Sequence, residues 1–297
     1  MIDMSHDATP VPVLTGQHVG SYEIGSLLGT GGMGSVYRAR DRRRHCDVAI
    51  KVLRPDVSQR RGSQARLVRE GRVAASLSHP GICTIHDAAE ADGIAFVVME
   101  LIEGQPLSAL VEGQPLPLSH VVRYGIQLAD AVAHIHDRGL LHGDLKSSNV
   151  MITTDGRVKV VDFGLSGPQC VAAPAEATTQ EATSMTGSGS VAGSLPYIAP
   201  EQFRGEPVDR RTDVWALGVV LHEMAAGDRP FHGRTSFELS AAVLHERLVI
   251  PLHVPSPLRP LIRRCLEKQP GRRYQQACDV RAALERLETR SGKSAAA

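Results

Sequence analysis

The stretch "LLHGDLKSSN", residues 140–149, is the one on which the reading of this chain turns. Asn149 follows Asp144 by five residues, and the Asp162 of "VDFG" follows Asn149 by thirteen. Asp144 is a carboxylate that can accept a hydroxyl proton, and Lys146 is a cation that can neutralise charge on a phosphoryl group in transit. Asn149 and Asp162 offer hard oxygen ligands of the kind Mg²⁺ takes. By itself the stretch is equally a polar loop followed by a hairpin, so its meaning depends on the residues around it.

The bulk numbers narrow the field. A chain of 297 residues can bury a large core, and its length suits one large or two ordinary domains. Lys and Arg total 33 against 32 Asp and Glu, a net charge of +1. No broad basic field exists to hold nucleic acid or an anionic membrane, and neither is expected as a main partner. Cys46, Cys83, Cys170, Cys265 and Cys278 form no CxxC pair, which predicts idle thiols in a reducing compartment. The longest apolar run, "ALGVVL" at 216–221, is far short of a membrane span, and "MIDMSHDATP" lacks the regions of a secretory signal. The expected location is the cytoplasm.

Residues 1–20 read as a flexible leader. From 21 to about 99 the text is strand-rich: "SYEIGSLLG" and "GSVYRARD" read as two strands around a glycine turn, "DVAIKVL" as a third and "AFVVME" as another, apolar one. Between them, residues 63–78 carry Leu67, Val68, Val73, Ala74 and Leu77 at helical intervals. Residues 104–289 turn helical. "SHVVRYGIQLADAVAHIHDRG" is predicted to start on a capping Ser119, to bury Val122, Ile126, Ala129, Val132 and Ala133, and to stop at Gly139. Asp155-Gly156 predicts a tight hairpin within 149–161. Residues 165–192, rich in Ala, Thr, Ser and Gly, cannot bury enough to order themselves, which in a compact domain argues for regulation. An apolar helix ends near Gly227, further helices run to about 289, and 290–297 read as a frayed tail.

Further motifs lie along the rest of the chain. "LLGTGGMGSVY" holds Gly29, Gly31 and Gly34 in G-x-G-x-x-G order, but Val36 and Tyr37 continue as strand. A dinucleotide-binding glycine turn would open a helix instead, so this one reads as a glycine hairpin whose N–H groups can approach phosphates. "VAIK" places Lys51 in an apolar strand, where an ammonium either snorkels to water or binds an anion. Glu70, the sole acidic residue between 57 and 86, is its expected partner, in a pair that would hold the ammonium against phosphates. Finally, the Arg42–Arg44 run reads as an exposed turn, and His134 and His136, two apart, point to different helix faces.

Taken together these motifs resemble the eukaryotic-type protein kinases, specifically their bacterial serine/threonine branch, whose glycine loop reads "GGMGxVY" as residues 31–37 do. The resemblance covers about residues 21–289 and includes "APE" at 199–201, "DVWALG" with Asp213, Trp215 and Gly218, and Arg273 in "PGRR". It implies an α+β bilobal kinase fold, with an N-lobe at 21–101, a C-lobe at 104–289 and an activation segment at 162–201. It implies a site for ATP with Mg²⁺ (Mn²⁺ being the alternative ion) between the lobes. Leu28, Gly29, Gly31, Gly32, Gly34, Val36, Ala49, Lys51, Met99, Glu100 and Ile102 would bind nucleotide, Met99 as gatekeeper and Glu100 and Ile102 through their backbone. Asp144, Lys146, Lys51 and Glu70 would be catalytic, Asn149 and Asp162 would hold the metal, and Glu201 would pair with Arg273. The implied partners are proteins bearing Ser or Thr, with self-association for trans-autophosphorylation.

Two departures from the family pattern stand out. Members regulated by loop phosphorylation carry an arginine immediately before the catalytic aspartate, and Gly143 cannot receive a phosphate. Phosphate on Thr178, Thr179, Thr183, Ser184, Thr186, Ser188 or Ser190 is therefore expected to be dispensable for basal activity, unless Lys159 serves as receptor. Gly71, directly after Glu70, costs about 1 kcal/mol against alanine in a helix; either the helix is loosely held and Gly71→Ala would raise activity or nucleotide affinity, or neighbouring packing absorbs the cost. The rival readings are a pseudokinase-type binding scaffold and a small-molecule phosphotransferase. The first is disfavoured by the surviving lysine, base and metal aspartate, the second by the "APE" segment and its arginine.

Overall fold

The structure, a computed structural model, describes residues 14–31, 34–53, 62–162 and 194–295. Gly32, Cys170 and the stretch 165–192 with its candidate phosphate acceptors lie outside those residues. Two compact units are present: one runs up to Ser76 and resumes over Thr84–Leu101, the other comprises Leu77–Cys83 and everything from Ile102 onward.

The first unit is an antiparallel sheet of β1 (His18–Val19), β2 (Tyr22–Thr30), β3 (Gly34–Asp41), β4 (Cys46–Leu53), β5 (Ile85–Ala91) and β6 (Ile94–Glu100). Their order is β1-β2-β3-β4-β6-β5. Alternation drives the arrangement: Val48, Ile50 and Val52 of β4 and Phe96 and Val98 of β6 bury one face with Tyr37 and Ala39 of β3. Leu14 and Val19, within the expected leader, join that core, and His18 and Val19 pair with Glu23 and Tyr22. The Arg42–His45 turn is exposed, with the Asp41 carboxylate accepting the Arg43 and Arg44 amides at 2.8 and 3.1 Å.

Helix α1 (Ser63–Ala74) lies on this sheet, shorter than the expected 63–78, and turns Leu67, Gly71 and Ala74 inward. Val73, expected in the buried stripe, is 44% exposed. Of the two readings of Gly71, its surroundings favour packing over a loosely held helix. A Cβ there would sit 2.7 Å from the Ala88 Cβ and 2.9 Å from a Val97 methyl. Glycine is thus what lets the helix approach β5 and β6, and the propensity cost is offset by close packing. Gly71→Ala should now lower stability by about 1–3 kcal/mol, read as a lower urea midpoint at unchanged slope. A gain in activity or nucleotide affinity would favour the loosely held helix instead.

The second unit is mainly helical. It holds α2 (Leu107–Leu110), α3 (Leu118–Asp137), α4 (Pro200–Phe203), α5 (Arg210–Ala226), α6 (Ser236–His245), α7 (Leu258–Cys265) and α8 (Ala277–Ala295). Its small sheet pairs β7 (Gly104–Pro106), β8 (Val150–Thr153) and β9 (Val158–Val160) in that order. Residues 77–83 belong here because the Cys83 amide donates to the Val160 carbonyl and the Val160 amide to the Gly81 carbonyl, both at 2.9 Å.

Helix α3 buries the predicted stripe, Val122, Ala129 and Val132 fully and Ile126 and Ala133 in part. Its start differs from expectation: Ser119 is no cap, and the helix follows Pro117, whose carbonyl accepts the His120 and Val121 amides. Pro117 has a fixed φ and no amide to satisfy, so it suits the helix entrance. The 154–157 connection is a four-residue loop rather than a two-residue turn, with the Gly156 amide on the Thr153 carbonyl at 2.9 Å. Helix α5 is the central element. Asp209 caps it by accepting the Arg211 amide, Gly227 ends it at φ +75, and every residue from Thr212 to Ala226 is buried. Trp215 stacks on Phe231 with ring centroids 5.8 Å apart, and the Lys268 ammonium lies 3.8 Å over the Phe231 centroid. That burial pulls the Lys268 pKa down to about 8. Among the described residues the cysteines are free thiols, and no helix is long and apolar enough to cross a membrane.

Candidate active site

In the sheet unit, register gathers the predicted nucleotide-binding residues into rows. Val36 of β3 pairs with Gly29 of β2 on one side and Lys51 of β4 on the other, and Lys51 pairs onward with Val97. Ala49 is opposite Met99 in the same way. The glycine hairpin is closed by the Gly31 amide on the Gly34 carbonyl at 2.8 Å, and Leu28 beside it is half exposed. Lys51 itself is buried. Glu100, at the end of β6, accepts the Thr84 amide on Oε1 at 2.7 Å and gives its own amide to the Thr84 carbonyl. Glu70 has a partner that the sequence reading missed: the Arg66 Nε donates to its Oε1 at 2.9 Å. The signal was present, since Arg66 and Glu70 stand four apart on one helix face.

In the helical unit the loop after α3 is organised by one buried carboxylate. Asp213, in the first turn of α5, accepts His136 Nε2 at 2.8 Å, the His142 amide at 2.8 Å and the Gly143 amide at 3.0 Å. Burial pushes its pKa up, but the hydrogen bond and charge of His136 and the other donors outweigh that, and the net displacement is downward. For two successive amides to converge on one carboxylate the chain must bend sharply, and Gly143 does so at φ +72. A residue with a Cβ would be strained there. Gly143 therefore has a backbone role of its own, invisible when the residue is read only as an absent arginine.

The loop then presents its chemistry. His142 is fully enclosed, burial lowers its pKa, and its neutral ring accepts the Asp144 amide on Nδ1 at 3.2 Å. Lys146 Nζ donates to Asp144 Oδ2 at 2.7 Å and to Ser194 Oγ at 2.8 Å. Asn149, in a 3-10 turn over Ser147–Asn149, gives its side-chain amide to the Asp144 carbonyl at 2.9 Å and to Oδ2 at 3.1 Å. That leaves the Asn149 carbonyl oxygen as the atom with ligand chemistry. The Val161 amide donates to the Asn149 backbone oxygen at 2.9 Å, which ties the residue before Asp162 to this turn. Asp162 itself sits at φ +58, in the left-handed region that aspartate enters more readily than most side chains. Asp144, Lys146, Asn149 and Asp162 thus belong to one connected loop system, and the donor set of Asn149 and Asp162 fits a hard divalent cation. Ile102 opens the helical unit, and Gly32 lies outside the described residues.

The distal brace forms as expected. Arg273 donates to both Glu201 oxygens, Nη1 to Oε1 at 2.8 Å and Nη2 to Oε2 at 2.7 Å, with both side chains almost wholly enclosed. Ser194 and the cluster of Ser147, Tyr197 and Glu223 were not foreseen. "GSLPYIAPE" held two of these residues in plain view, but nothing in a linear text says that a hydroxyl will face a lysine 48 residues away.

The family model described as "Protein kinase domain" matches residues 22–284. The chain belongs to that family, in its bacterial serine/threonine branch. Among curated relatives, "Serine/threonine-protein kinase PknB" of Mycolicibacterium smegmatis is 36% identical over 283 residues, covering 92% of this chain and 44% of that protein. PknB of Mycobacterium leprae is 35% identical, covering 90% and 43%. "Probable serine/threonine-protein kinase CPE1738" of Clostridium perfringens is 34% identical, covering 92% and 40%. The chain spans less than half the length of these relatives. Among solved structures, the crystallised kinase domain of Mycobacterium tuberculosis PknI, as a double mutant, matches with a TM-score of 0.67 and 26% identity, covering 91% of this chain and 97% of that one.

Proposed function

We propose that this chain transfers the γ-phosphoryl group of ATP to Ser or Thr hydroxyls of proteins, itself included. The observation that carries the proposal is the Asp144–Lys146–Asn149 constellation: a carboxylate held by an ammonium at 2.7 Å and an amide at 3.1 Å. In this reading Asp144 orients the acceptor hydroxyl and takes its proton as the hydroxyl oxygen bonds to the γ-phosphorus and ADP departs. Lys146 offsets the charge that develops on the phosphoryl oxygens, and its second contact, to the Ser194 hydroxyl, keeps the ammonium in place. Lys51, supported by Glu70, holds the α- and β-phosphates, while the backbone around Gly29–Gly34 covers them. Asn149 and Asp162 would hold Mg²⁺, which when bound screens the phosphate charges. Protein substrates, self-association and autophosphorylation belong to the same proposal.

Gly143 adds a regulatory expectation. It spends its amide on Asp213 and has no side chain to receive a phosphate. Removal of loop phosphates by a phosphatase should leave activity within about tenfold of the untreated protein. A larger drop would mean that another cation, such as Lys159 of β9, does the receiving. Incubation with Mg·ATP and a generic basic protein, followed by detection of phosphoserine and phosphothreonine, tests the activity itself.

A further inference from the structure

Ser147, Tyr197 and Glu223 form a buried triangle within the helical unit. The Ser147 hydroxyl lies 2.9 Å from the Tyr197 hydroxyl and donates to Glu223 Oε1 at 3.1 Å, while the Tyr197 hydroxyl donates to Glu223 Oε2 at 2.7 Å. The three are 2%, 9% and 9% exposed, so water cannot replace a lost partner easily. They join three separate pieces of chain: the 3-10 turn Ser147–Asn149, a second 3-10 turn Leu195–Tyr197, and the last turn of α5.

Ser147 is the member with a consequence for chemistry. It opens the turn in which the Asn149 amide bonds to the Lys146 carbonyl at 2.9 Å, and that turn aims the Asn149 side chain at Asp144. Glu223 is a firm anchor because α5 is buried throughout. Burial holds the Glu223 carboxyl above its ordinary value although the Tyr197 and Ser147 hydroxyls pull it down. Backbone bonds alone would fix the turn's shape but not its position against α5.

We propose that Ser147 is a positioning residue: its hydroxyl, moored to Glu223 and Tyr197, holds the turn that sets Asn149 against Asp144. The proposal rests on the phosphoryl-transfer reading of Asp144 and Asn149. The test compares the wild type with Ser147→Ala and Ser147→Thr in steady-state phosphorylation and in hydrogen exchange of the nucleotide-free protein. Ser147→Ala should lower kcat about tenfold with the KM for ATP little changed, and should speed exchange at the Asn149 amide by a similar factor. Ser147→Thr, which keeps the hydroxyl, should recover both. The proposal is overturned if Ser147→Ala only lowers the melting temperature while kcat and Asn149 exchange stay at wild-type values, or if Ser147→Thr is as impaired as Ser147→Ala. A wild type that transfers no phosphate yet shows the predicted exchange pattern would overturn the transfer reading and leave the mooring of the turn supported.

Discussion

Asp144→Asn should lower kcat by about 10²–10⁴-fold while the KM for ATP and the melting temperature change little. The substitution keeps the size and planarity of the side chain and removes its ability to take a proton. The surrounding bonds explain why the fold should survive. Asp144 is held through its own amide by His142 and through its carbonyl by Asn149, neither of which involves the carboxylate. Only the contacts of Oδ2 with Lys146 and Asn149 are disturbed, and Lys146 retains Ser194. A uniform loss of binding, seen as a raised KM at unchanged kcat, would assign Asp144 to substrate holding instead of proton transfer. Retention of most of the activity would remove it from the chemistry.

The second large effect concerns stability. Arg273→Ala should cost about 3–5 kcal/mol, measured by urea denaturation, because it strands the Glu201 carboxylate in an interior site. The guanidinium also donates to the Glu267 carbonyl at 2.8 Å and the Arg211 carbonyl at 2.9 Å, so the substitution leaves buried acceptors as well as a buried charge. Arg273→Lys should recover only part of the loss, since an ammonium cannot reproduce the two-pronged bond. Replacing both partners, Glu201→Gln with Arg273→Met, should cost less than Arg273→Ala alone. The pH dependence has a definite sign. Burial raises the Glu201 carboxyl, but Arg273, the Thr212 hydroxyl at 2.9 Å and backbone donors bring it below its ordinary value. Its contribution is therefore complete above the unfolded value, about 4.3, and is lost as pH falls through the lower folded value. A cost of less than about 1 kcal/mol for Arg273→Ala would show the pair to be incidental.

Legibility followed the physics of each element. Strands β2 and β3 and helix α3 show themselves through the period that one-sided burial imposes, and β4, β6 and α5, buried on nearly every side, through continuous apolar runs. Strand β5, "IHDAAEA", does not: it sits at the sheet edge, fully buries one residue, Ala88, and owes its conformation to β6. Which reading of Gly71 holds was not legible, because helix propensity is local while the neighbours that require a glycine, Ala88 and Val97, come from strands β5 and β6. Asp144, Lys146, Asn149 and Asp162 could be singled out because the transfer chemistry proposed for them would fix both residue type and spacing. Ser147, Ser194 and Tyr197 could not, since a hydroxyl acquires its meaning from partners that only folding supplies. Gly143 lies between these cases: its missing side chain was legible, its left-handed backbone was not.

The most direct measurement is mass spectrometry of the purified chain after incubation with Mg·ATP, run beside Asp162→Ala. The account predicts phosphate on Ser or Thr residues of the wild type and none on the variant, with both proteins melting at similar temperatures. Phosphate appearing equally on Asp162→Ala, or on neither protein nor on any added protein substrate, would contradict it.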